Sequence, residues 1–253
     1  MKQKIMFSTV VIFLLSYALI TAQEMNVEAG KLYNEGNSLL KAGNYSGAIE
    51  SYDKALAIEK DYRMYYQKGV AQKKSRDLEG AKNSFEESLK LNNGFEGGYN
   101  ALGGVYFSMG NYLEAINNFE KVLASTKKAS VKKKVKKNIS LAYAKLGNNE
   151  MSNGNSQKAI EYLAKSVENS DYDAAYLSLA KLYSEIGEFD KSINASEKAL
   201  KHRSKISRGG PYYYMGISYK GKGDMVKAKE MFEKAKGDAT YRKTAEYELS
   251  LIN

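Results

Sequence analysis

Side chains able to do covalent or metal chemistry are scarce in this sequence, and the few present lie among neighbours that argue against it. His202 is the one histidine in 253 residues and there is no cysteine. Thiolate nucleophiles, disulfides and Cys-rich zinc or iron–sulfur sites are therefore excluded, and a histidine triad or metal centre would rest on His202 alone. That residue lies among Lys201, Arg203 and Lys205, and nearby positive charge disfavours both an imidazolium and a bound cation, so a solvent-facing linker histidine is expected. Glu86 and Glu87 fall on a polar stretch where solubility and ion pairing are reason enough for them. The glycines at Gly103, Gly110, Gly221 and Gly223 lack the preceding strand and the Gly-Lys-Ser ending that cradles a phosphate. No catalytic, cofactor or metal residue is assigned, and the chain is not expected to be an enzyme.

Charge is concentrated in one place. Lys127, Lys128, Lys132, Lys133, Lys134, Lys136 and Lys137 stand within eleven residues that hold no acid. Val131, Val135, Ile139 and Ala142 recur among and after them at steps of four and three, the spacing of one apolar helix face with the lysines on the remaining arc. Two readings stay open: a solvated face, or a surface attracted to anionic lipid, glycan or an acidic partner.

The opening residues read as an address. Met1 to Lys4 carry two lysines, Ile5 to Ile20 carry no charge, and Thr21 and Ala22 precede Gln23 and Glu24, which predicts a secretory signal peptide over 1–22 and a mature chain over 23–253. The apolar run falls short of the ~20 residues that cross a bilayer, which favours cleavage after Ala22; left uncleaved, the segment would anchor the chain to the inner membrane. An exported bacterial protein, periplasmic or secreted, is expected, and nucleic acid is then not an expected partner. Without Lys2 and Lys4, 37 basic residues face 29 acids, and most of that excess is the lysine run.

The elements that position these residues follow from self-similarity at an offset near 34. Gly36, Gly69, Gly103, Gly147, Ala180 and Gly216 superimpose, and twelve residues after each stands Ala48, Ala81, Ala115, Ala159, Ser192 or Ala228. Four residues before the first series come Leu32, Tyr65, Tyr99, Tyr143, Tyr176 and Tyr212. Four after the second come Tyr52, Phe85, Phe119, Leu163, Ser196 and Phe232, with Ser196 as the exception. Between the two small series lies a turn at Gly43, Arg76, Gly110, Gly154, Gly187 or Gly223. Each unit thus reads as helix, turn, helix, with a large residue stacked on a small one along one face. Two such helices cannot bury that face alone, so stacked neighbours must complete the core.

This period and pattern resemble the tetratricopeptide repeat family, most closely at Tyr33 to Leu56 and Leu102 to Leu123. The resemblance implies an all-α, right-handed superhelical solenoid. We place units at about 29–61, 62–95, 96–129, 140–173, 173–206 and 209–242, an insertion or lengthened helix near 128–139, and a capping helix at 241–252. It also implies non-catalytic protein binding through a concave groove lined by the first helix of each unit, which together with the leader gives a scaffold or adaptor of the cell envelope. That face reads Tyr33, Asn37 and Leu40; Tyr66, Val70 and Lys73; Asn100, Gly104 and Phe107; Ala144, Asn148 and Met151; Leu177, Lys181 and Ser184; Tyr213, Ile217 and Lys220. Tyr66 and Phe107 are expected to project apolar area that the core does not require. In chaperone adaptors of the family a lysine and an asparagine of the first unit hold a terminal carboxylate. Here Asn37 is in place, but Tyr33 stands where the lysine belongs and Gly97 and Ala101 fill the matching basic positions of the third unit, so that ligand is not expected. The expected partner is a peptide or helix of another protein, with an anionic envelope surface at the lysine run as the alternative.

Overall fold

The computed structural model describes residues 25–252, so the predicted signal peptide lies outside the described residues. These form an all-α solenoid of six antiparallel pairs and a closing helix, with no strand among the described residues. The pairs are α1 (Val27–Lys41) with α2 (Tyr45–Ile58), α3 (Tyr62–Lys74) with α4 (Leu78–Leu91), and α5 (Glu96–Met109) with α6 (Tyr112–Ser125). Then follow α7 (Ala129–Ser152) with α8 (Ser156–Asn169), α9 (Asp173–Glu185) with α10 (Phe189–Lys201), and α11 (Gly209–Gly221) with α12 (Met225–Lys236). The last element, α13 (Arg242–Ser250), buries Ala245 and Leu249 against the sixth pair.

One turn design is used six times. The backbone N–H of Asn44, Asp77, Asn111, Asn155, Glu188 and Asp224 donates to the carbonyl five residues earlier, at 2.9 Å in every case. This closes the first helix in a Schellman turn, and the same residue is the N-cap of the second. The residue before it is left-handed, with φ of 78° to 84° at the five glycines and 69° at Arg76. The second unit therefore keeps the turn geometry without the residue suited to it, which costs on the order of 1 kcal/mol.

Within a pair, the large residue of the second helix lies on the glycine of the first. A Cβ added at Gly36 would come 2.6 Å from Tyr52, at Gly69 2.7 Å from Phe85, at Gly103 2.8 Å from Phe119, at Gly147 2.6 Å from Leu163 and at Gly216 2.6 Å from Phe232. The fifth pair has Ala180 opposite Ser196, both fully buried, and the Ser196 hydroxyl has no hydrogen-bond partner. The cluster that holds Leu179, Ala180 and Ala195 is packed by Tyr183 of α9 and also by Tyr214 of α11, from the next unit. Helix α11 also touches α9 directly, with Gly210 so close to Leu177 that a Cβ would stand 3.0 Å from its methyl.

Of the core-position tyrosines Tyr99, Tyr143 and Tyr212 are half-buried, and Tyr176 is buried more fully. Lysines 22 residues further on cover Tyr99 (Lys121, 5.0 Å to the ring centre), Tyr143 (Lys165, 5.9 Å), Tyr176 (Lys198, 5.8 Å) and Tyr212 (Lys234, 5.5 Å), so the amphipathic stem shields the ring while the ammonium sits on its π face. The ten-residue excess of the fourth unit is a lengthened helix: α7 runs 24 residues, with Val135, Ile139 and Ala142 buried against α6. Between the fifth and sixth units the order comes from Asp173, 1% exposed. Its Oδ2 accepts the backbone N–H groups of Ser204 (2.6 Å), Lys205 (2.8 Å) and Ile206 (3.3 Å) and the Ser204 hydroxyl (3.1 Å). Burial alone would raise the carboxyl pKa, but these donors hold it below the ordinary aspartate value.

Candidate partner-binding groove

The first helices of the pairs form the inner wall, and their contacts sort the expected lining residues into two kinds. The aromatic residues are largely taken up by the core. Tyr66 is wedged between Phe85 (ring centres 5.6 Å apart) and Phe95 (5.0 Å), and this burial raises its phenol pKa. Phe107 stands edge-on to Tyr112 at 5.4 Å, Tyr33 lies on Tyr52 at 6.0 Å, and Tyr213 is enclosed by Tyr214, Phe232 and Tyr241. The expectation that Tyr66 is surplus to packing is thus corrected, since a ring one position past the core tyrosine still reaches the second helix of its own unit; Phe107, two turns further along its helix, is only partly buried on α6 and leaves the rest of its ring to the wall. Val70 packs against the cluster that holds Phe85 and Leu102, while Ala144 and Ser184, expected on the groove face, are buried.

Polar members are divided as well. The Tyr52 hydroxyl donates to Asn37 Oδ1 at 2.8 Å, Ser178 donates to Asn148 Oδ1 at 3.3 Å, Lys181 pairs with Glu185 at 3.8 Å and Lys220 with Glu248 at 2.7 Å. Asn100 and Lys73 have no side-chain partner among the described residues. Lys73 is the unusual one. It is half-buried, its ammonium lies against Gly104 so closely that a Cβ there would stand 2.9 Å from Nζ, and loss of water pushes its pKa below the usual lysine value. A lysine near a surface ordinarily keeps its head in water or on a carboxylate, and this one has given up part of the first without gaining the second.

Beside it α5, α6 and α7 enclose a cleft of about 120 Å³ lined by Gly104, Phe107, Phe119, Asn138 and Leu141. The Asn138 amide also has no partner among the described residues. Together these groups offer a cation, an apolar slot and an amide within one stretch of the wall, which suits a carboxylate, an apolar side chain and a peptide group. Asn138 and Leu141 were not read from the sequence as groove residues. Continuing the Ala144 face one turn back along the helix would have found Leu141, since the extension of α7 prolongs the wall there.

All seven residues of the lysine run are exposed, and none is paired with a carboxylate among the described residues. His202 departs from the solvent-facing linker expected of it. It ends α10, stacks on Tyr176 (6.0 Å, 26°) and brings Nδ1 to 3.6 Å from Asp171. Asp171 also accepts the Tyr176 hydroxyl at 3.0 Å; burial first, and then that bond, push the phenol pKa up to about 12. No group of three or more His, Cys, Asp or Glu able to hold a metal occurs among the described residues, and none of their helices is long and apolar enough to cross a membrane.

Models of the tetratricopeptide repeat match residues 29–62, 62–95, 98–131, 140–171 and 173–204, well over half of the sequence. The chain is 29% identical over 101 residues to the heat shock protein STI1 of Saccharomyces cerevisiae, covering 39% of this chain and 17% of that protein. It is 27% identical over 133 residues to the small glutamine-rich tetratricopeptide repeat-containing protein 2 of Mycosarcoma maydis (52% and 37% covered), so it spans well under half the length of these two relatives. With the photosystem I assembly protein Ycf3 of Prochlorococcus marinus (strain NATL2A) it shares 34% identity over 128 residues, 48% of this chain and 71% of that one. Among solved structures, YrrB, described as a TPR protein with an unusual peptide-binding site, is similar with a TM-score of 0.50 at 21% identity, covering 79% of this chain and 97% of its own. The C-terminal part of a TPR repeat-containing protein from Cytophaga hutchinsonii gives 0.54 at 19% identity, covering 83% and 82%.

Proposed function

Because the chain belongs to the tetratricopeptide repeat family, we propose that it is a non-catalytic adaptor that takes an extended acidic segment of a partner protein into the groove walled by α3, α5 and α7. The observation that carries this reading is Lys73. A half-buried ammonium without a counter-ion is a standing cost in the free protein, and a ligand carboxylate would remove it. The adjoining slot of Phe107, Phe119 and Leu141 accepts an apolar side chain next to that carboxylate, and Asn138 a main-chain group. Peptide binding is also what the description of YrrB states for a protein of this fold. The leader-like pattern of residues 1–22 supports setting this adaptor in the bacterial envelope, with the mature chain beginning at Gln23; a reporter active only outside the cytoplasm, fused after Gln23, tests that part by itself.

The groove is tested with a displayed library of random peptides. Sequences retained by the wild type should pair Asp or Glu with a neighbouring apolar residue, and Lys73→Met should lose the acidic preference while keeping the apolar one. Gly104→Leu, which fills the notch beside the ammonium, should weaken both. Equal acidic enrichment with Lys73→Met, or no enrichment with the folded wild type, would reject the reading.

A further inference from the structure

A second candidate site lies on the other side of Leu141 from the groove cleft, and where the groove offers one cation it sets several around one cavity. The cavity, about 500 Å³, opens between the first half of α7 and the loops that follow α8 and α10. Lys133 and Lys137 reach it from α7, Lys205 and His202 from the loop after α10, and Ser170 from the loop after α8. In the sequence these residues belong to the fourth unit, with its lengthened first helix, and to the fifth, so the cluster is not closed by the regular repeat alone. The lengthening of α7 alone carries Lys133 and Lys137 to it.

The walls are fixed before any ligand arrives. Asp173 holds the backbone of Ser204, Lys205 and Ile206 by three N–H donors, so Lys205 projects from a braced loop. Ser140 is tied to Ser166 at 3.1 Å on the opposite side. The acid lining the cavity, Asp171, is engaged by the Tyr176 hydroxyl and lies beside His202. Lys133, Lys137 and Lys205 have no carboxylate partner among the described residues. Leu141 and Tyr172 add an apolar flank.

We propose that this cavity binds a phosphate ester, with Lys133 and Lys137 on one side of the anion and Lys205 on the other. Ammonium groups are point charges with rotatable donors, suited to a tetrahedral oxyanion approached from two sides. The phosphate can belong to a lipid headgroup or to a soluble phosphate compound, and the two sources are separated by experiment.

Full-length mature protein at low ionic strength is titrated calorimetrically with inorganic phosphate, and is sedimented with vesicles of equal parts phosphatidylglycerol and phosphatidylcholine. Lys133→Gln/Lys137→Gln should lower affinity about tenfold in whichever arm the wild type binds, as should Lys205→Gln combined with either, because each removed charge faces the same cavity and so the same anion. Lys132→Gln/Lys136→Gln removes the same charge from the same helix outside the cavity and should change affinity by no more than about twofold, a screened surface effect. Binding of phosphate with this pattern assigns a soluble source, and binding of vesicles with this pattern assigns a headgroup. Equal losses in the two double variants would reduce the site to diffuse surface charge and overturn the proposal, as would failure of the folded wild type to bind in either arm. The Lys205 variant, on a different element, guards against an effect of the α7 substitutions on helix stability.

Discussion

The third unit lays Phe119 on Gly103, whereas the fifth sets Ser196 opposite Ala180, and the two arrangements solve one spatial problem differently. In the third, the space between the paired helices is filled from inside the unit. In the fifth, Tyr214 from the unit that follows packs against the cluster that holds Ala180, α11 lies against α9, and the serine hydroxyl is buried without a partner. A solenoid lets neighbours share packing because each unit contacts only those beside it. A missing ring is therefore compensated one step along the chain and leaves the rest of the array unchanged.

The largest expected effect tests the regular arrangement. Phe119→Ala removes a ring that is 2% exposed and should cost about 3–5 kcal/mol in denaturant unfolding; a loss below ~1 kcal/mol would show that the ring does not fill the unit. Tyr214→Ala should cost about 2–3 kcal/mol, less because the ring is only partly buried, and amide exchange should accelerate in α9 and α11 while α1 to α6 stay protected. Uniform acceleration along the chain would refute the local compensation.

Asp173→Asn comes next, since it weakens the brace between the same two units by about 2 kcal/mol, the worth of hydrogen bonds to a charged acceptor. Its pH signature has a definite sign. The folded carboxyl pKa lies below the unfolded one, so the stabilisation is complete above the ordinary aspartate value, near 4, and is lost as pH falls through the folded value. Wild-type stability should decline over that acidic range more steeply than that of Asp173→Asn, and parallel profiles would count against the brace.

Two smaller gains complete the comparison. Ser196→Ala removes a buried hydroxyl with no partner and should stabilise by about 1 kcal/mol, whereas a loss of that size would reveal a hydrogen bond, to water for instance, that the hydroxyl needs. Arg76→Gly supplies the residue that a left-handed turn favours and should stabilise by about 1 kcal/mol. The same exchange at the other five turns is not available, because they already carry glycine.

The repeat was legible because its constraints are local. A glycine beneath a ring, a left-handed residue between helices and an alanine twelve positions on each leave a mark at a set spacing, and even the exceptions Arg76 and Ser196 stand out against it. The lengthened α7 was legible from Val131, Val135, Ile139 and Ala142 for the same reason. The groove was only partly so. Helical phase named a face of the first helices, but could not tell that Tyr66 leans onto Phe95 at the start of α5, that Asn37 is held by Tyr52, or that Lys73 rests on Gly104 one unit further on.

By itself the sequence determined the class of fold, the six units, the turn positions and the scarcity of catalytic side chains, because these depend on residue type and on separations within a few helical turns. Tertiary structure decided which polar groups have partners and which do not. Lys73 beside the Asn138 cleft and Lys133 and Lys137 across from Lys205 are meetings between units, and Asp173 beneath its loop joins the two ends of one, all set by how far each helix pair rotates and slides on the last. No periodicity within a unit encodes that displacement, since it arises from the summed shapes of both packed faces.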